Sequence, residues 1–194
     1  MATLDDTTLD NALTDAPMGT PMSELDPPVS EQLEAHVRFI ESGGADGAPA
    51  DFSGVDLRPL KLLAHLNLAT LRASGATFYG IDLQGVQLQG ADLRGADLCA
   101  ANLEGADLRG AKLSDAKLSG AVLRDCNMGP LVIDSNRRMV TPIARADLCG
   151  ADLRGADLAQ AVLDSANLSG ARLEGAKIET ASMKDTEMDS PASQ

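Results

Sequence analysis

The sequence predicts an all-β solenoid, a quadrilateral coil of five-residue units with a short helix closing its N-terminal end. Three observations predict it. A leucine or other aliphatic residue recurs every fifth position, as in "GADLRGADLCAANLEGADLRGAKL" over residues 90–113. A small residue, usually alanine, stands two places before each of them. Aromatic residues make up only 2% of the 194 residues, with no tryptophan, although 44% are hydrophobic, so the interior is narrow and aliphatic. A period of five fits neither the 3.6 of a helix nor the 2 of a strand.

A short extended piece followed by a turn of about 90° resolves the mismatch. Four such units close a square, the central residue always faces the axis, and each lap climbs about 4.8 Å while pairing with the lap below. Each central leucine then contributes roughly 1.5–3 kcal/mol by burial, before entropy. The alanine two places earlier also points inward, near a corner too tight for a larger side chain. Asp or Asn before the leucine bonds to turn backbone, and glycine supplies the turn conformation. The predicted core ladder is Leu83, Leu93, Leu98, Leu103, Leu108, Leu113, Leu118, Leu123, Leu148, Leu153, Leu158, Leu163, Leu168 and Leu173.

The elements follow in chain order. Residues 1–28 are acidic and proline-rich without sustained periodicity, and are expected to form a disordered tail. Residues 29–44 predict a capping helix. Ser30 is the expected N-cap, Leu33, Val37 and Ile40 form one apolar stripe, and Gly43 and Gly44 stop it. The coil occupies 45–190, leaving 191–194 as a tail. From Leu66 to Ser190 the chain divides into twenty-five five-residue units without losing register. Three weaker units, 50–54, 55–59 and 60–64, lie one residue out of phase, which predicts a bulge at His65 or a neighbour.

Residues twenty apart should stack. Leu93, Leu113, Ile133, Leu153 and Leu173 form one expected column, and Leu83, Leu103, Leu123, Ile143, Leu163 and Met183 another. Arg138 would then enter the core, where a lone charge costs several kcal/mol. Residues 134–142 are therefore expected to leave the wall as a loop, with Pro142 marking the return.

This pattern resembles the pentapeptide repeat family, whose motif is A(D/N)LXX. Clear units are "ADLRG" (91–95), "ANLEG" (101–105), "ADLRG" (151–155), "ANLSG" (166–170) and "ARLEG" (171–175), and the resemblance covers 50–190, about 73% of the chain. It implies a right-handed four-sided β-helix. Twenty-eight units at four per lap make about seven laps, roughly 34 Å. Some family members dimerise through their C-terminal coils, which implies a homodimer end at Met183 and Met188. Others mimic duplex DNA in width and charge and occupy the DNA-binding saddle of type II topoisomerases such as gyrase.

Composition restricts the function classes. The net charge of −13 is concentrated early: residues 1–65 hold 12 acids against 3 bases, and 66–194 hold 17 against 13. The repeats therefore carry only −4, whereas duplex DNA would carry about 20 charges over the same length. DNA mimicry toward a topoisomerase stays as the alternative reading. Direct nucleic-acid binding and a membrane span are not expected, since no stretch approaches 18 apolar residues. No secretory signal is read at the N-terminus, and Cys99, Cys126 and Cys149 suit neither a disulfide framework nor a zinc site, so a cytoplasmic protein with reduced thiols is expected. His36 and His65 lie outside the regular repeats, and a filled core leaves no pocket, so neither catalysis nor a cofactor or metal is expected. The leading expectation is an interaction scaffold for a protein partner. Asn136, Arg137, Arg138 and Met139 in the irregular loop are the candidate contacts.

Overall fold

The computed structural model describes residues 19–60 and 63–189. The tail expected over 1–28 lies outside these residues as far as 18, and the tail expected over 191–194 lies outside them altogether. Residues 19–28 correct the first expectation, because they are built into the fold. Thr20–Pro21 forms strand β1, which pairs in parallel with β2 (Val55–Asp56) at the foot of the coil. The Thr20 N–H donates to the Gly54 carbonyl at 2.8 Å. A strand edge that water would otherwise have to satisfy is thereby covered.

Helix α1, Val29–Glu41, completes this cover. Its N-cap is Pro28, not Ser30, and no side chain caps it. Pro28 is extended, at φ −56° and ψ 156°, and lies just outside the first turn. Gly43 and Gly44 end the helix at φ 63° and 91°, with the Gly44 N–H donating to the Phe39 carbonyl at 2.8 Å. The buried face is Val29, Leu33 and His36, whereas Val37 and Ile40 are half-buried, so the helix is rotated from the expected stripe. His36 can occupy that face because its Nδ1 accepts the Ala50 N–H at 3.0 Å.

Beyond the helix the chain pairs with itself every lap. Apart from β1–β2 and one hairpin, the pairing is a ladder of single parallel bridges. Asn67 faces Gln87, which faces Asp107, which faces Asn127; neighbouring columns advance by the same twenty residues. Four five-residue units therefore make one lap. Each unit ends in a β-turn, for example the Ala96 N–H donating to the Leu93 carbonyl at 3.1 Å. The third turn residue, Gly95 here, sits at φ 65°, a region that L side chains enter at a cost.

The interior follows from this period. The central leucines from Leu83 to Leu168 are at most 2% exposed, and the alanines two places before them are as deeply buried. Leu173 differs, being half-buried on the last lap.

Two irregularities depart from the sequence reading. The first lap spans twenty-one residues, since Asp51 faces Arg72 and Asp56 faces Thr77. His65 is not the extra residue: it holds a regular turn position at φ 61°, and its N–H donates to Gln84. The extra residue falls between Leu60, whose N–H still makes the ordinary turn bond to the Leu57 carbonyl, and Leu63, whose N–H donates to the Asp82 carbonyl in the regular register. The second is larger. Lys117 faces Asp147, Val122 faces Asp152 and Asn127 faces Asp157, a step of thirty. Ten residues, 131–140, leave the wall instead of 134–142.

Two whole units are thus removed, which shifts the later columns by half a lap. Leu113 stacks under Ile143, Leu163 and Met183, and Leu123 under Leu153 and Leu173. Ile133, expected in the core, is 48% exposed. Pro142 is already back in the wall, where its carbonyl accepts the Leu113 N–H at 2.8 Å. About six and a half laps remain, roughly 31 Å.

Candidate interaction surface

The ten excluded residues form a hairpin of β3 (Leu131–Val132) and β4 (Arg138–Met139), antiparallel, with Leu131 opposite Met139 and Val132 opposite Arg138. The Asp-Ser-Asn turn drives it. Asp134 Oδ1 accepts the N–H groups of Asn136 and Arg137, both at 2.9 Å, an Asx turn, and Oδ2 pairs with Arg137 Nε at 2.6 Å. These bonds hold the Asp134 carboxyl below its ordinary range, the Asn136 amide first among them.

The hairpin sits over a corner with no side chain. A Cβ on Gly110 would lie 3.0 Å from Leu131 Cβ and 3.2 Å from Met139 Cβ. Its base is tied by Thr141, which is fully buried at an inward position normally held by alanine. The Thr141 hydroxyl accepts the Gly110 N–H at 2.9 Å and donates to the Gly129 carbonyl at 3.2 Å.

Among the four candidate contacts from the sequence, Asn136, Arg137 and Arg138 are exposed and Met139 is 38% exposed. The hairpin brings them together on one projection. The four contacts named from the sequence leave out Val132, Ile133 and Val140, which are 61%, 48% and 42% exposed, although Val140 lies within the expected loop. A signal existed: β-branched residues on both sides of Asp-Ser-Asn are a hairpin pattern. It was masked because Ile133 keeps the five-residue period.

The walls are different in character. Asp92, Asp107 and Asp152 each form a two-point pair with the arginine two residues on, at 2.6–2.9 Å. Their Oδ1 atoms also cap the turn. Asp152 is held down to about 2, first by the Arg154 side chain. Between laps, Arg145 pairs with Asp115, Arg124 with Glu104 and Lys177 with Asp157. The wall is thus a mosaic of paired charges. Cys126 is buried, so its thiol is pushed up and unreactive at neutral pH. Cys149 is exposed and Cys99 half-buried.

The last lap is less complete than those below it. Leu173, Ile178 and Met183 are half-buried, and Met188 is 44% exposed. Among the described residues, no helix is long and apolar enough to cross a membrane, and no group of His, Cys, Asp and Glu is arranged to hold a metal.

A sequence profile described as pentapeptide repeats (8 copies) matches residues 63–98, 91–129 and 144–179, interrupted around the hairpin. No curated protein matches the chain. Among solved structures, the chain is similar to HetL, a pentapeptide repeat protein involved in heterocyst differentiation regulation in Nostoc sp. strain PCC 7120. Identity is 29%, TM-score 0.37, covering 74% of this chain and 84% of that one. It is similar to a pentapeptide repeat protein of the Arabidopsis thaliana thylakoid lumen, at 29% identity and TM-score 0.40, over 59% of this chain and 69% of that one. A trypsin-treated form of QnrB1, a plasmid-mediated fluoroquinolone resistance protein, matches at 22% identity and TM-score 0.31, over 73% and 76% of the two chains.

Proposed function

The chain belongs to the pentapeptide repeat family, and from that premise we propose that it is a non-enzymatic scaffold, a right-handed quadrilateral β-helix that engages a protein partner through the hairpin at 131–140. One observation carries this reading. Six large hydrophobic residues are exposed among the described residues, and four of them, Val132, Ile133, Met139 and Val140, fall within those ten positions. Apolar side chains gathered on a projection and rimmed by polar groups are the usual mark of a protein contact. Here the rim is Asn136, Arg137 and Arg138.

The hand of the coil follows the family. Paired charges favour a protein contact over an acidic, DNA-like ribbon: arginines neutralise Asp92, Asp107 and Asp152 within a unit, and Glu104 and Asp115 across laps. A second copy of the chain seats at the final lap, where Met183 and Met188 leave apolar surface uncovered.

The test is a ten-residue deletion. Removing 131–140 joins Pro130 to Thr141 and restores a twenty-residue lap, so the coil survives while the contact goes. A partner captured by the intact chain is expected to be lost from the deletion variant. A partner retained by both refutes the hairpin as the contact.

A further inference from the structure

The final lap presents an unfilled version of the pairing that holds every lap below it. In the preceding lap, the N–H groups of Leu153, Gly155, Leu158, Leu163 and Ser165 donate to the carbonyls of Arg172, Glu174, Lys177, Ser182 and Lys184, at 2.7–3.1 Å. The Gln160 N–H donates to Thr180 Oγ1. The carbonyls of Ala151, Ala156 and Ala161 accept from Arg172, Lys177 and Ser182. One lap on, over the two units 176–185, the equivalent donors are Ile178, Thr180, Met183 and Asp185, and the equivalent acceptors are Ala176 and Ala181. Among the described residues none of these backbone groups has a partner. Ile178 and Met183 lie between them, half-buried. Such an edge is a template for one specific ligand, another pair of five-residue units.

The chain carries such units outside the described residues. Residues 2–11 read "ATLDD TTLDN". Leu4 and Leu9 hold the central position, and Ala2 and Thr7 the inward small position, which Thr141 shows will accept a threonine. Thr3 and Thr8 match Thr77 at the bridging position. Asp6 and Asn11 fall at the left-handed turn position, where Asp115, Asp125 and Asp185 already stand at φ 53–62°.

We propose that residues 2–11 of one copy add two five-residue units to the open final lap of a second copy. Geometry rules out the same copy. Thr20 is fixed at the foot of the coil by β1, about seven and a half laps, roughly 36 Å, from a segment seated beyond residues 176–185. The nine steps from Asn11 to Thr20 reach at most about 32 Å when fully extended. The foot of the coil is also taken, by β1 and α1. Leu4 and Leu9 extend the aliphatic column over Ile178 and Met183, while backbone bonds set the register. Each copy holds one donor and one acceptor, so the contact is heterologous: it builds open chains, or closes when two antiparallel copies exchange segments.

The inference rests on a second copy seating at the final lap, and the experiment separates the two ideas. Light scattering on the full chain is expected to show a mass of at least two copies, rising with concentration if the chains stay open. The Leu4→Asp/Leu9→Asp variant, altered only outside the coil, is expected to be monomeric. A synthetic peptide of residues 2–11, added to a chain lacking them, is expected to slow amide exchange at least tenfold at three or more of Ile178, Thr180, Met183 and Asp185. An oligomer that persists in the Leu4→Asp/Leu9→Asp variant but dissociates in Met183→Asp leaves a second copy at the end and refutes the donor segment. A full chain that is monomeric throughout refutes both.

Discussion

Gly110 and Gly129 are joined through a third residue rather than directly: the Thr141 hydroxyl takes the Gly110 N–H at 2.9 Å and gives its own proton to the Gly129 carbonyl at 3.2 Å. Elsewhere in the coil this bond is direct, as between the Gly90 N–H and the Arg109 carbonyl at 3.0 Å. At the hairpin the two strands of the ladder are parted by one oxygen atom, and a threonine at an alanine position supplies it. The hairpin is therefore spliced into the wall without leaving that buried donor and acceptor unpaired.

Replacing Thr141 by valine keeps the shape and removes the relay. Two backbone groups are then buried without partners, which costs about 1–3 kcal/mol. Chemical denaturation should show that loss, and Thr141→Ser should recover most of it. Equal stability of the valine and threonine forms would mean that the hydroxyl bond has no net worth.

Gly110 has two reasons to be glycine. It sits at φ 67°, and an added Cβ would press on Leu131 and Met139. Gly110→Ala is expected to destabilise the intact chain more than it does a chain lacking 131–140, where only the backbone cost remains. A double-mutant cycle measures the difference, which should be at least 0.5 kcal/mol for groups in contact. Additive effects would mean that the hairpin does not rest on this corner.

The dry column sets stability. Leu153 is fully buried, and Leu153→Ala should cost about 2–5 kcal/mol. Leu153→Asp should abolish cooperative melting, because the described residues stacked on it, Leu123 and Leu173, are aliphatic and offer no counter-charge. Circular dichroism during heating reads both.

His36 makes the N-terminal cap sensitive to acid. Burial pushes its pKa below 6.5, and the backbone at Ala69 opposes this more weakly. Nδ1 already accepts the Ala50 N–H, so the folded ring is neutral. Above pH 6.5 the folded and unfolded chains bind the same number of protons at this site. As pH falls through 6.5 the unfolded chain gains a proton that the folded cap refuses, and stability declines. Amide protection factors across 29–50, which allow for the intrinsic slowing of exchange in acid, should fall between pH 7 and 5, and His36→Gln should flatten that dependence. Asp152, held to about 2 by Arg154, acts in a lower window: its contribution is full above pH 4 and lost as pH falls through 2.

The five-residue period by itself determined the coil, its aliphatic axis and the role of the aspartates, because each depends on contacts within one unit or between identical units. A repeated local geometry needs no long-range information. The positions Ala91, Leu93 and Gly95 were legible for that reason, as was the exclusion of Arg138 from the core. The same regularity hid what only the tertiary structure decided. Ile133 satisfies the period yet lies outside, since a hairpin set by Asp134 removes two whole units and leaves the register of the letters intact. The half-lap shift that brings Leu113 under Ile143, the hydroxyl relay at Thr141 and the burial of His36 against Ala50 arise between residues 14 to 31 positions apart. Periodicity is blind to such contacts, because an insertion of whole repeats changes which units meet without changing any unit.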